Sequence, residues 1–316
     1  MLSNLIRFGT TLLVMVVGLQ LLIPLLKRLN FGQPVYDLAP ESHQRKDGIP
    51  TMGGISFILA ISLISLIFLG VRDEHLFVLL GMLLFGLIGF VDDIMKISAR
   101  ENQKGLSEWQ KIGLQVIAAL ILTSLVRERA QSVIVPFLSR PLDLGLFYYP
   151  FGIIFILAVT NSANLTDGID GLHASVASIM LVFFGLILWP DAQNSLFGLA
   201  VISIAALIGY FLYNRYPAAL FMGDTGSMAI GGLIAMLYLI TRTPLFAPIV
   251  SFIYVIESLS VILQRVYFKK TRRRIFLMAP IHHHFEQKGF SENMIVILFS
   301  AVSVIGCVVA LLMYYV

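Results

Sequence analysis

Residues 76–96 read LFVLLGMLLFGLIGFVDDIMK: sixteen residues without a charge run directly into two adjacent carboxylates, Asp92 and Asp93. A bilayer-crossing helix needs about 17–25 residues, and a slightly shorter run is completed by its interfacial flanks. This stretch is therefore a spanning helix that ends on a charged pair. Ionisable groups at that depth are costly, and they are kept where they bind something.

The rest of the chain extends the same pattern. Of its 316 residues 58% are hydrophobic and 13% charged, with mean hydropathy +0.89, against about 25% charged in soluble domains. Charge-poor windows fall at residues 5–26, 55–70, 76–91, 112–126, 151–163, 175–189, 196–213, 228–240, 246–263 and 294–316. They predict an all-α polytopic membrane protein of about ten spans, built as one domain over residues 1–316, since no internal repeat or low-complexity linker divides it. The first window runs into Lys27 and Arg28 with no small-residue cleavage site after it, so it reads as a retained anchor. The single cysteine, Cys307, lies in the last window, which excludes an intramolecular disulfide.

Ten spans place both termini on one side, and the loop charges say which. Sixteen of the 22 Lys and Arg residues fall in loops of one face, and six (Arg7, Arg72, Arg127, Arg129, Arg140 and Arg242) on the face of the termini. The positive-inside rule makes the first face cytoplasmic. The net charge of +4 is then a topology signal, not a nucleic-acid footprint. On the outer face, residues 127–150 carry β-branched and aromatic residues around a Ser-Arg-Pro turn, which predicts a small hairpin, with an irregular loop as the competing reading.

The polar segments HQRKDGIPTMGG, GFVDDIMKISARENQKGLSEWQK, NSANLTDGIDGLH, YNRYPAALFMGDTGS and FKKTRRRIFLMAPIHHHFEQKGFSEN all belong to the cytoplasmic face. In FMGDTGSMAIGG, Asp224 sits between Gly223 and Gly226 directly before an apolar helix that Thr225 and Ser227 could cap. A carboxylate beside a helix N-terminus suits Mg²⁺ held against a phosphate; the plainer alternative is a capped helix start. Asn164, Asp167 and Asp170 recur every third residue, which predicts one helical edge facing a cavity. Lys46, in a Gly/Pro-rich turn, and Lys111, opening the fourth span, are phosphate candidates, whereas the basic run at 269–274 mainly attracts anionic lipid. His282, His283 and His284 are consecutive, and neighbours on a helix diverge by about 100°, so they do not converge on one zinc ion. They donate to phosphate oxygens or steer a loop. The same angle separates Asp92 from Asp93, so the two do not chelate a single metal together, and Lys96 is in reach of either.

Carboxylates for Mg²⁺, cations for phosphates and a polar pocket at one membrane face describe an enzyme that moves a phosphorylated group onto a lipid carrier. A ten-span secondary transporter is the reading from another class. It would place its polar residues near the midplane and favour inverted repeats.

The motifs GIPTMGG, GFVDDIMK, NLTDGIDGL, FMGDTGSMAIGG and APIHHHFE, in this order over residues 48–286, closely resemble the phospho-N-acetylmuramoyl-pentapeptide transferase family of bacterial cell-wall synthesis. The paired aspartates and the NxxDGxDG pattern are shared with sister enzymes that move N-acetylglucosamine phosphate; APIHHHFE resembles the muramoyl branch. The resemblance implies transfer of phospho-MurNAc-pentapeptide from its UDP carrier to undecaprenyl phosphate in the bacterial cell membrane, giving lipid I and UMP, with Mg²⁺ as cofactor. It is compatible with a homodimer and involves no nucleic acid. Carried over residue by residue, it makes Asp224 the metal ligand, Asp92 the base with Asp93 beside it, and His282 and His283 essential histidines. Asn164, Asp167, Asp170, Asn214 and Phe221 resemble the nucleotide site, and Lys46, Thr51, Lys111 and His284 further substrate contacts. Asp47, Ile49 and the run TRRRIF depart from the family pattern, and an acidic Asp47 weakens the claim of Lys46 on phosphate.

Overall fold

The computed structural model describes residues 2–29, 31–32, 48–71, 74–99, 104–138 and 140–316. Its helices are α1 (Leu2–Arg28), α2 (Gly54–Leu69), α3 (His75–Ala99), α4 (Glu108–Ala130), α5 (Tyr148–Thr166), α6 (Leu172–Leu188), α7 (Ser195–Asn214), α8 (Gly223–Ile240), α9 (Ala247–Val250), α10 (Phe252–Thr271), α11 (Ile281–Gln287) and α12 (Glu292–Tyr315). The protein is an all-α polytopic membrane protein. Among the described residues, eight helical segments are long and apolar enough to cross a membrane. The window at 55–70 becomes the 16-residue α2, about 24 Å long at 1.5 Å per residue and so short of the roughly 30 Å hydrocarbon core.

The window at 246–263 is not one straight span. A break at Ser251 bends the segment Pro244–Val250 by 81° from α10. Ser251 leaves helical dihedrals, at φ −99° and ψ 33°, and its hydroxyl lies 2.8 Å from Tyr238 Oη and 3.4 Å from Met180 Sδ. The break is thus fixed by side chains of two other helices.

At the centre stands α8, 94% of whose span is buried. In lipid, helices associate by close packing and not by expulsion of water, so small residues mark the tightest crossings. At the α3–α8 crossing a Cβ added to Gly89 would stand 2.1 Å from the Asp224 carbonyl oxygen. Only glycine admits that approach, and it brings the polar end of α3 against the start of α8. Around this core, α1, α2, α4 and α12 turn exposed apolar faces outward, with Leu13, Leu63, Ile117 and Ile305 among the residues that meet lipid.

The C-terminal ends of α3, α5 and α7 and the N-terminal ends of α2, α4, α6 and α8 meet at one end of the bundle, joined by the contacts of the next subsection. The opposite end carries the small hairpin expected there: two two-residue strands pair antiparallel, Ser132 with Asp143 and Val133 with Leu142. Ile134 N donates to Arg242 O at 2.7 Å, tying the hairpin to the far end of α8.

Candidate active site

The adjacent aspartates of α3 point to different neighbours, as their angular separation requires. Asp92 Oδ1 accepts from Leu106 N at 2.7 Å, and its Oδ2 lies 2.7 Å from Lys96 Nζ and 3.3 Å from Lys111 Nζ. Asp93 turns to the start of α8. Its Oδ1 accepts from Asp224 N at 3.1 Å, and its Oδ2 from Thr225 N at 2.8 Å and Thr225 Oγ1 at 2.6 Å. The cap of α8 therefore comes from another helix. Thr225 donates to that cap, and Ser227 Oγ bonds back to Gly223 O at 3.1 Å, so neither serves as the cap expected of it. Gly223 makes room with φ +70°, where a Cβ would stand 2.5 Å from Asp93 Oδ2.

Held this way, Asp224 projects to the cations that face Asp92. Its Oδ2 accepts from Lys111 Nζ at 2.6 Å and Lys96 Nζ at 2.9 Å, and its Oδ1 from Asn164 Nδ2 at 2.9 Å. Asn164 also donates to Ser227 Oγ at 2.9 Å. Two carboxylates share two ammonium groups, so this largely buried cluster is balanced in charge, the condition under which such ions are tolerated. Asp92, Asp93, Asp224, Lys111 and Asn164, each singled out in the sequence, are brought together, and Lys96 joins them.

Among the described residues no group of three His, Cys, Asp or Glu side chains could enclose a metal. Asp92 Oδ2 and Asp224 Oδ2 nevertheless converge on the same cationic positions. That donor set fits Mg²⁺, which takes one or two carboxylates and completes its shell with phosphate oxygens and water.

The predicted helical edge of Asn164, Asp167 and Asp170 does not form. Helix α5 ends at Thr166, Asp167 is its C-cap at φ −82° and ψ 49°, and the chain turns through Gly171 at φ +79°. Gly168 and Gly171 make that turn possible where the spacing alone reads as helix. Asp170, 3% exposed, points inward, where its Oδ2 accepts from Ala218 N at 2.9 Å and its own N donates to Glu292 Oε2 at 2.9 Å. Asn214, 2% exposed, accepts from Gly171 N at 3.1 Å and donates to Leu220 O at 2.9 Å. Asp170 and Asn214 thus pin the turn at 167–171 to the segment before α8. Asp167 and Phe221 remain half-buried at this end of the bundle.

Phe221 pairs its backbone with the GIPTMGG segment, donating to Pro50 O at 2.9 Å and accepting from Gly53 N at 2.8 Å. Thr51 in that segment is buried, and its hydroxyl has no hydrogen-bond partner among the described residues. It stands 3.0 Å from the place a Cβ of Gly223 would take. Lys46 lies outside the described residues.

The three histidines take three different partners. His282 and Glu257 are fully buried, with Nδ1 and Oε1 3.0 Å apart, but the contact is misaligned, and none of their side-chain nitrogens and oxygens makes a hydrogen bond. His282 also presses on the 167–171 turn, since a Cβ at Gly168 would stand 2.1 Å from its Nε2. His283 Nδ1 meets Glu286 Oε2 at 2.5 Å. His284 Nδ1 accepts from Leu277 N at 3.1 Å, and desolvation together with the charge of Lys288 lowers its pKa from the ordinary histidine value. Glu257 was hidden in the sequence inside an apolar window, and only its charge there could have drawn notice.

Comparison with known proteins agrees with this arrangement. The family model described as glycosyl transferase family 4 matches residues 75–242, which run from α3 through α8 and include both aspartates, Lys111, Asn164 and Asp224. A phospho-N-acetylmuramoyl-pentapeptide-transferase of Clostridium botulinum is 43% identical over 93% of this chain and 91% of its own length. One from Clostridium perfringens is 44% identical over 92% of each chain, and one from Caldanaerobacter subterraneus 42% identical over 94% of each. These relatives extend the match to nearly the whole length, past the family model to the histidine segment, and with a bundle whose acidic and basic residues gather at one end they show that the chain belongs to the phospho-N-acetylmuramoyl-pentapeptide transferases, membrane-embedded enzymes of glycosyl transferase family 4.

Proposed function

We propose that this enzyme transfers phospho-MurNAc-pentapeptide from UDP-MurNAc-pentapeptide to undecaprenyl phosphate, forming lipid I and UMP, in a Mg²⁺-dependent reaction at the cytoplasmic face of the bacterial cell membrane, with both termini outside. The observation that carries the proposal is the shared Asp92–Lys96–Lys111–Asp224 cluster at the N-terminus of α8. It offers carboxylates for a divalent ion and cations for phosphates within one small volume, at the end of the helices where a lipid-borne phosphate meets a soluble substrate.

In the reaction, an oxygen of the lipid phosphate bonds to the sugar-linked phosphorus while the bond from that phosphorus to the UMP oxygen breaks. Asp224 would hold Mg²⁺, which would neutralise charge on the pyrophosphate and polarise its oxygens. Lys96 and Lys111, already lodged between the two carboxylates, turn to phosphate oxygens as substrate enters. Asn164 keeps Asp224 oriented through Oδ1, and Asp93 fixes the backbone from which Asp224 projects. Asp92 Oδ2 accepts the proton of the lipid phosphate. Phe221 stacks on the uracil with Asp167 at its polar edge, and Asp170 and Asn214 hold the turn that carries that pocket. Thr51, Lys46 and the His282–His284 segment contribute contacts to phosphates and sugar.

The test is an assay of the purified full-length chain in detergent with undecaprenyl phosphate and either UDP-MurNAc-pentapeptide or UDP-GlcNAc, with Mg²⁺ and after chelation. UMP release and a lipid product are expected only with the muramoyl substrate and Mg²⁺. A lipid product from UDP-GlcNAc alone would move the enzyme to the sister specificity, and metal-independent turnover would remove the role given to Asp224.

A further inference from the structure

One turn deeper in the membrane than the Asp224 cluster, two side-chain amides face each other between α4 and α5. Gln115 Nε2 donates to Asn161 Oδ1 at 3.3 Å, and Asn161 Nδ2 donates to Gln115 Oε1 at 2.9 Å. Asn161 Nδ2 also donates to Leu157 O at 2.8 Å, which locks its amide orientation. Gln115 is 0% exposed. Asn161 is half-buried, and a polar pair between helices in lipid is held together because an amide turned away from its partner there has little or no water to bond.

Its place in the sequence gives the pair its significance. Gln115 follows Lys111 by four residues on α4, and Asn161 precedes Asn164 by three on α5, so each amide lies on the same helical face as a residue of the site. Lys111 and Asn164 reach Asp224 from opposite sides, at 2.6 Å on Oδ2 and 2.9 Å on Oδ1. Helices α4 and α5 are connected through the hairpin at their far ends. At the site end their spacing is left to packing and to this reciprocal bond.

We infer that the Gln115–Asn161 amide pair is a positioning device: it sets the separation of α4 and α5 so that Lys111 and Asn164 grip Asp224 together and aim its carboxylate at the metal and phosphate. Gln115 touches none of the reacting groups in this account; it acts through Lys111. The inference rests on the proposed function for its catalytic readout, but not for its effect on Asp224.

The experiment uses the full-length enzyme in detergent with Gln115→Leu, which keeps the bulk and removes the amide, and the exchanged double variant Gln115→Asn/Asn161→Gln, which restores an amide pair with the same number of carbons. Misplacing catalytic groups by about 1 Å costs on the order of a hundredfold, so a kcat loss of roughly tenfold or more is expected for Gln115→Leu, with KM for the UDP substrate changed by less than about twofold. Mn²⁺ binding, followed by electron paramagnetic resonance as a probe of the metal site, weakens in the same variant. The exchanged variant recovers most of both. Wild-type kcat and Mn²⁺ affinity in Gln115→Leu would overturn the inference. So would a lowered thermal midpoint, with kcat and KM lost together and no recovery on exchange, since that pattern marks a purely structural contact. If the enzyme does not use UDP-MurNAc-pentapeptide, the proposed function fails in the wild type, while Mn²⁺ binding still reads the effect of the pair on Asp224.

Discussion

The site end of the bundle holds two buried acidic centres that are satisfied in opposite ways. Around Asp224 every carboxylate oxygen of Asp92, Asp93 and Asp224 meets a lysine, an amide or a hydroxyl. Around His282, a fully buried carboxylate, Glu257, faces a fully buried imidazole, and neither completes a hydrogen bond. The first centre resists change through its own network, in which a ligand has to exchange partners one for one. The second is held in place by the packing of α10, α11 and the 167–171 turn. A polar group in the first is placed by bonds, and one in the second by its neighbours' bulk.

Mutations separate the two. Asp224→Asn keeps the shape and removes the charge between Lys96 and Lys111. Turnover is expected to fall by about 10²–10³-fold, the scale for deleting a group that stabilises developing charge, with a higher Mg²⁺ requirement; wild-type turnover would show that the cluster only balances lysines. Asp93→Ala deletes the cap on Asp224 N and Thr225 N, at a stability cost of about 1–2 kcal/mol that is read from denaturation in detergent. An unchanged midpoint would mean that the glycine-rich start of α8 holds itself. Glu257→Leu tests the other centre. Replacing a poorly paired buried charge by an apolar side chain is often neutral or stabilising, so the midpoint should hold or rise, and a clear fall would place Glu257 in a bonded network after all. Smallest of all, Arg273→Ala on the exposed basic run should leave turnover within about twofold, because such charges mainly attract anionic lipid at roughly 1 kcal/mol each.

Much of this architecture was legible in the amino-acid sequence because lipid allows few alternatives. A window that is apolar for its whole length has to be a helix, and the expected windows fall on helix except at 246–263, which breaks at Ser251; of the ten expected spans, eight described helices are long and apolar enough to cross, or nine with the bent pair counted as one. The divergence of Asp92 and Asp93 followed from the helical angle, and the charge reach of Lys96 from its spacing. The break at Ser251 was not legible, since it is fixed by Tyr238 and Met180 from elsewhere in the chain. Spacing misleads at Asn164, Asp167 and Asp170, where a period of three reads as helix but the chain turns through Gly168 and Gly171 instead. The cap of α8 was hidden for another reason: its acceptor, Asp93, lies 131 residues away from the amide of Asp224, and local sequence carries no trace of a partner so remote.

That separation also sets a timetable. The chain is made from the N-terminus, at about 5–20 residues per second, so α3 is complete roughly ten seconds before α8 begins. Through that interval Asp93 has no helix to cap, and Asp92 has only Lys96 and then the start of α4. The last piece, Glu292, which receives the Asp170 amide, arrives after nearly the whole protein has been synthesised. The charged end of α3 enters the membrane as an unfinished half of a site, and the helix that completes it is among the later ones to arrive.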